Sequence, residues 1–121
     1  MPLLKTAPFV WGDETFTLHE LSALDRLEHA EFVADIVTPE EPPEGAGDKQ
    51  KSDFVRAVNA AMARQAADLL SRSLRNGVTA EAILRDWPID ALGAANRTAA
   101  ELSGMIRPDQ EGDATEASPK P

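Results

Sequence analysis

The sequence predicts a mainly α-helical protein with a short N-terminal β-hairpin, a small bundle of about four helices and a disordered acidic C-terminal tail. Apolar residues recur at three- and four-residue spacing through much of the chain after residue 20, as in amphipathic helices. Two short β-prone runs precede them, on either side of a Gly-Asp pair. Residues 107–121 contain no large apolar side chain. We therefore expect a single domain at 1–106, followed by a tail at 107–121 that cannot fold by itself.

The predicted hairpin pairs Phe9-Val10-Trp11 with Thr15-Phe16-Thr17-Leu18. Gly12-Asp13 between them permits the positive φ that a two-residue turn requires. An isolated hairpin is barely stable in water, so its large side chains must pack on the helices or on a second copy. For Trp11 we favour packing between hairpin and helices over a role as a contact for a partner protein.

The first helix is predicted to begin at Thr17, because Thr17 and Glu20 have the spacing of a capping box. Phe32 and Ile36 fall off the main apolar stripe of this helix. A second apolar ridge of this kind indicates either burial on two sides or a surface that meets a partner. The main stripe, which is predicted to face the core, comprises Leu21, Leu24, Leu27, Ala30, Ala34 and Val37.

Residues 38–52 contain three prolines and no large apolar side chain, so we expect a flexible loop there. The second helix is then predicted to begin at Ser52 or Asp53 and to end at Asn76-Gly77. Its charged residues are mainly basic, whereas those of the first helix are mainly acidic. Antiparallel packing of the two helices is therefore favoured by charge as well as by apolar contact, although each surface pair contributes only about 0–1 kcal/mol.

Two shorter helices are predicted to complete the domain. Thr79 caps a third helix over 80–85, which ends before Trp87 because the residue ahead of a proline avoids the α region. Pro88 then lies in the first turn of the last helix, and Gly104 ends it. Trp87 is expected to fill the junction between these helices. The inward face of the last helix is predicted to comprise Ile89, Leu92, Ala95, Ala99 and Leu102.

Composition excludes several classes of function. The chain carries 21 acidic and 12 basic residues, a formal net charge of −9, so its field repels phosphate and we expect no nucleic-acid partner. Cysteine is absent, which excludes disulfides, thiolate nucleophiles and sulfur-ligated metals. We see no apolar run long enough for a signal peptide or a membrane span, so no membrane association is expected and the chain is assigned to the cytoplasm by default.

Catalytic residues, metal ligands and cofactor-binding residues are not expected. His19 and His29 lie ten residues apart on the predicted first helix, which turns them about 80° away from each other. They cannot share a metal ion unless another element supplies ligands, so we expect two exposed histidines. The sequence has no nucleophile-elbow pattern and no glycine-rich loop that opens a helix after a strand. We predict that the protein is not an enzyme.

Three segments carry a resemblance to a known family. They are the opening Leu3-Leu4-Lys5-Thr6, the stretch from Leu18 to His29 with Glu20-Leu21-Ser22-Ala23-Leu24 at its centre, and the Trp87-Pro88 helix that ends in Leu102-Ser103-Gly104-Met105. Their order and spacing in a short acidic chain resemble the tail assembly chaperone of long-tailed phages, the minor tail protein G family of lambda-like tails.

The resemblance implies a chaperone that acts in the host cytoplasm and is absent from the mature virion. It would coat the tape measure protein and keep it soluble until the tail tube polymerises around it. The resemblance also implies a longer product, made by programmed ribosomal frameshifting, whose extra domain recruits the tail tube protein. This chain would then be the short product, with 107–121 as the tether, and Pro119-Lys120 permits a slippery codon pair where the family would place one.

A chaperone of this kind needs apolar helix ridges that capture amphipathic segments of its partner. The predicted contact residues are Phe32, Ile36, Leu70 and Leu74, which are equally compatible with self-association. One alternative is a structural head–tail connector or tail completion protein that stays in the virion. Another is a small helical regulator or adaptor with no phage connection.

Overall fold

The computed structural model describes residues 3–106, and these form a hairpin followed by four helices. This architecture confirms the predicted fold class. The predicted tail, with Pro119 and Lys120, lies outside the described residues. The elements are β1 (Thr6–Trp11), β2 (Glu14–His19), α1 (Ala23–Asp35), α2 (Asp48–Leu74), α3 (Ala80–Asp86) and α4 (Ile89–Leu102).

The hairpin is confirmed together with its turn. β1 and β2 pair antiparallel, with Trp11 opposite Glu14 and Phe9 opposite Phe16, so that Gly12-Asp13 alone connects them. Gly12 has a φ of 61°, the left-handed value that glycine adopts without strain at the first position of a tight hairpin turn. Alternation along the strands places Phe9 in the core.

The predicted start of α1 is wrong. Thr17 lies within β2, because the strand stays paired with β1 as far as His19. Ser22 caps the helix instead, and its Oγ accepts a hydrogen bond from the backbone N–H of Asp25 at 3.1 Å. Glu20 follows β2 and Lys5 precedes β1. The Oε1 of Glu20 accepts a hydrogen bond from the N–H of Lys5 at 3.0 Å, which joins the two ends of the hairpin.

α2 begins at Asp48, earlier than the predicted start at Ser52 or Asp53. Its first turn is polar and exposed, so the apolar pattern could not reveal it. The side chain of Gln50 stabilises this start by accepting a hydrogen bond from the N–H of Gly47 at 3.3 Å. The helix ends close to the predicted position, where Arg75 takes a left-handed conformation with a φ of 52°.

Both short helices form as predicted. Thr79 caps α3, and its Oγ1 accepts a hydrogen bond from the N–H of Ala82 at 3.1 Å. Pro88 is the N-cap residue of α4, so it precedes the first turn and does not lie in it as predicted. Gly104 ends α4 in a Schellman motif, with its own N–H donating to Glu101 and the next N–H donating to Ala100.

The C-terminal half of α2 forms the centre of the molecule. The hairpin, α3 and α4 pack against it through one apolar cluster. The segment before α1 and the C-terminal part of α4 pack against it through a second. The buried residues of the first cluster are Phe9, Leu18, Ala67, Leu70, Leu74, Ile83, Leu92 and Ala95. Those of the second are Leu21, Leu69, Ala99 and Ala100.

Trp87 packs on the hairpin as well as at the junction between α3 and α4. Its ring centroid lies 4.9 Å from that of Phe16 and 6.3 Å from that of Phe9. The ring of Trp11 stacks on that of Phe9, with 6.2 Å between the two ring centroids. More than a third of the surface of Trp11 remains exposed. The aromatic side chains of the hairpin thus fix it to the helices, as expected for an element that is unstable alone.

A buried serine joins the hairpin to α2. The hydroxyl of Ser73 accepts a hydrogen bond from the N–H of His19 at 3.1 Å and donates one to the C=O of His19 at 2.8 Å. The ring Nδ1 of His19 lies 2.9 Å from the C=O of Ser73. His19 is therefore the last residue of β2 and is hydrogen-bonded to α2. The prediction that His19 is exposed on a helix is wrong.

We predict that Ser73→Ala lowers the free energy of unfolding by about 2 kcal/mol, because it leaves two partly buried backbone groups of His19 without partners. Urea denaturation followed by circular dichroism measures the change. Ser52→Ala is the control, since Ser52 is exposed on the first turns of α2 and its loss should cost less than about 0.5 kcal/mol. Equal effects of the two substitutions would contradict the role assigned to Ser73.

Candidate partner-binding surfaces

The apolar stripe predicted to bury α1 faces solvent. Leu24 is 62 % exposed, Leu27 65 % and Val37 84 %. The opposite face packs on α2 and includes Asp25, which is half-buried, and His29, which is buried. Leu21 is the one residue of the predicted stripe that is buried, and it precedes α1. The predicted inward orientation is therefore wrong for the rest of the stripe, as is the exposed position predicted for His29.

A polar network explains this orientation of α1. His29 Nδ1 lies 2.7 Å from Asp68 Oδ2, and the same carboxylate accepts a hydrogen bond from Arg72 Nε at 2.9 Å. Arg72 also donates to Glu28 Oε1 at 2.8 Å. If α1 turned its leucines inward, the buried carboxylate of Asp68 would lose its contact with His29, and desolvated charges without partners are costly. The network comprises Asp25, Glu28, His29, Asp68, Arg72 and Arg75.

The predicted antiparallel packing of α1 and α2 is confirmed by the order of these contacts. Asp25, near the start of α1, accepts a hydrogen bond from Arg75 at the end of α2 at 3.0 Å. His29, farther along α1, meets Asp68, which precedes Arg75 on α2. The hydrogen bond with Asp68 raises the pKa of Arg72 above its ordinary value, so this guanidinium stays charged within the network.

An apolar groove lies between α2 and α4. It encloses about 510 Å³, and its rim carries Met62, which is 62 % exposed, and Ile89, which is 70 % exposed. Ile89 was expected to face the core, and the structure places it on this rim instead. Gly93 leaves open space above its backbone, so a partner could approach α4 closely there. The lining residues are Asn59, Met62, Ala63, Ala66, Ile89, Leu92, Gly93 and Asn96.

Asn96 gives this groove a polar group. Its side-chain Oδ1 is buried and accepts no hydrogen bond from the residues that the structure describes. A buried acceptor without a partner costs about 1–3 kcal/mol. A donor on a molecule bound in the groove would therefore gain a hydrogen bond that the body of the protein does not supply.

A second, smaller groove of about 290 Å³ lies between the end of α1 and the N-terminal half of α2. Met62 lines both grooves, so the apolar surface continues from one to the other. Methionine suits such a position, because its unbranched side chain adapts to differently shaped partners. The lining residues of this groove include Val33, Ile36, Phe54, Val58, Ala61 and Met62.

The structure separates the four predicted contact residues. Phe32 on α1 and Ile36 just after its end are half-buried, and Ile36 lines the smaller groove. Leu70 and Leu74 are buried in the core cluster, where no partner reaches them in this conformation. Sequence analysis missed Met62 and Ile89 as groove residues, since helical spacing identified both as apolar without showing which faces remain uncovered.

Within residues 3–106 we find no group of three or more His, Asp or Glu side chains that could hold a metal ion. None of the helices in this part of the chain is long and apolar enough to cross a membrane. The described body carries apolar grooves, the exposed outer side of α1 and a charged surface as candidate binding features.

Comparison with known proteins adds one match. The sequence matches the model of a family described as the bacteriophage lambda tail assembly chaperone, TAC, protein G, over residues 2–121. No curated protein and no solved structure matches the chain. The match covers nearly the whole sequence, and it agrees with the resemblance seen in the three segments described above.

We predict that Asp68→Ala destabilises the protein by about 3 kcal/mol, because it leaves His29 and Arg72 without their shared buried partner. Chemical denaturation with tryptophan fluorescence as the readout measures the change. Asp53→Ala is the matched control, because Asp53 forms ion pairs on an exposed part of the same helix and should change stability by less than about 0.5 kcal/mol. A small effect of Asp68→Ala would mean that α1 is held by its apolar contacts.

Proposed function

Since the chain belongs to the bacteriophage lambda protein G family of tail assembly chaperones, we propose that it binds the tape measure protein of its phage and keeps that protein soluble in the host cytoplasm. In this proposal the chain acts during tail morphogenesis and is not part of the mature virion. Its family is described by an assembly role and not by a catalytic one.

The observation that carries the proposal is the continuous apolar surface on both sides of Met62. An amphipathic helix binds a protein by laying its apolar face into such a groove. Small side chains along the larger groove, such as Ala63 and Ala66, allow the backbone of a bound helix to come close. Asn96 would accept a hydrogen bond from a polar group at the edge of that helix.

Charge supports the second part of the role. A net charge of −9 on a chain of 121 residues keeps molecules apart in solution. When such chains cover an aggregation-prone helix, their charge also keeps the resulting complexes from associating with one another. The apolar surface thus supplies binding, and the acidic exterior supplies solubility.

We also propose that a longer product of the same gene recruits the tail tube protein. It would arise by frameshifting near Pro119-Lys120 and would carry an additional domain after the body described above. The short and long products would then share the surface that binds the tape measure protein.

Co-expression with the tape measure protein from the same tail gene cluster tests the binding role. We expect the double substitution Met62→Gln and Ile89→Gln to lower the soluble fraction of the tape measure protein at least about fivefold, because both side chains form the rim of the groove. Leu84→Gln is the control, as Leu84 is an exposed apolar residue of α3 outside the groove.

If the tape measure protein is equally soluble with the groove variant and with the wild-type chain, the proposed use of the groove is contradicted. A wild-type chain that leaves the tape measure protein insoluble would contradict the proposed function itself. Finding the chain in purified virions would favour the structural head–tail connector or tail completion protein.

The coding DNA tests the longer product. We expect the codons of Pro119-Lys120 to follow a C and to read CCA AAA or CCA AAG, so that both transfer RNAs can pair again in the minus-one frame. An open frame in that register should follow. Mass spectrometry of infected or induced cells should then detect peptides that join the two frames, and a closed minus-one frame would rule the longer product out.

A further inference from the structure

The outer face of α1 is a second apolar surface that the grooves do not use. We define this face by four residues of α1 and one just beyond its end, all of them exposed: Leu24, Leu27, Ala30, Ala34 and Val37. None of them lines the two grooves around Met62. At 1.5 Å per residue the helical part of the stripe, from Leu24 to Ala34, is about 15 Å long, which matches about three turns of a partner helix.

Acidic residues border this face on one side. At 100° per residue, Glu28, Glu31 and Asp35 lie within about 60° of one another, around Leu24 on one side of the stripe. Glu28 is paired with Arg72, whereas Glu31 and Asp35 take part in none of the ion pairs found among residues 3–106. The two carboxylates are therefore available to cations from outside the molecule.

The opposite edge carries Arg26, whose guanidinium is already engaged. Its Nη1 donates a hydrogen bond to the C=O of Ser103 at 2.6 Å. The outer face of α1 thus offers a stripe of leucine, valine and alanine with available negative charge along a single edge. A helix that lies on it must supply an apolar stripe and a positive edge on the matching side.

A second copy of the chain fits this requirement poorly. In an antiparallel pairing of two α1 helices by a twofold axis, each acidic edge faces the acidic edge of the other copy. Each copy also carries a net charge of −9, which adds long-range repulsion. A basic amphipathic helix gains attraction from both features.

We propose that the outer face of α1 is a docking site for an amphipathic helix of a partner protein whose apolar stripe is bordered on one side by Lys or Arg. The inference rests on the proposed function only in that the client of the chaperone supplies this helix. It adds a second contact to the groove, and two contacts on one client raise the overall affinity more than either does alone.

Two synthetic helical peptides test the proposal with the full chain. Both carry the same Leu/Ala stripe and a fluorescent label, and one has Lys along the edge where the other has Glu. Fluorescence anisotropy should show that the Lys peptide binds at least about tenfold more tightly, with an advantage that falls as NaCl rises.

Two pairs of variants identify the surface. The double variant Leu24→Gln with Leu27→Gln changes no charge, and it should weaken binding of the Lys peptide at least about tenfold. Glu31→Lys with Asp35→Lys should reverse the preference, so that the Glu peptide binds better. The groove variant Met62→Gln with Ile89→Gln should keep the preference for the Lys peptide over the Glu peptide, because it leaves the outer face of α1 intact. Circular dichroism should show that all variants keep their helix content.

Equal affinities for the two peptides would overturn the proposal, and so would an affinity for the Lys peptide that Leu24→Gln with Leu27→Gln leaves unchanged. Sedimentation of the chain alone gives a further outcome. If that variant converts an oligomer into a monomer, the outer face binds a second copy, and the proposal fails. Neither peptide contains tape measure sequence, so these results are independent of the co-expression assay that tests the proposed function.

Discussion

The structure depends on the burial of the C-terminal half of α2 on all of its sides. Residues 67–70 are consecutive and all buried, which on a helix means that every direction around the axis is covered. This cover is provided by four elements that contact α2, namely β2, α1, α3 and α4. Leu70 packs in the apolar cluster, whereas Asp68 binds the polar face of α1. The apolar and polar sides of α2 thus determine where each surrounding element packs.

Local chemistry was sufficient to predict the elements whose signals lie within a few residues. The Gly12-Asp13 turn, the Thr79 cap and the Gly104 stop each depend on adjacent backbone groups, and each is found where the sequence placed it. The start of α1 was wrong because Thr17 satisfies both a capping pattern and a strand pattern. Pairing with a distant strand decided between them, and a single segment does not contain that information.

The candidate surfaces were harder to predict, because periodicity finds apolar residues without telling which of them are covered. On α1 the longer stripe is the exposed one, since ion pairs with residues about 40 to 50 positions away fix the other face inward. On α2 apolar residues occur around the whole helix, so Leu70 in the core and Met62 at the groove gave the same signal. Only the arrangement of the neighbouring helices distinguishes them.

The polar packing of α1 gives the body two parts that respond differently to the solvent. Moderate concentrations of NaCl screen the partly exposed ion pairs that Arg72 and Arg75 form with α1. The clusters around Leu70 and Leu69 consist of buried apolar surface and lack this sensitivity. Local opening of the protein should therefore begin with α1, whose release leaves the hairpin, α3 and α4 assembled on α2. The face of α2 that carries Asp68 would then become accessible at a free-energy cost set by ionic strength.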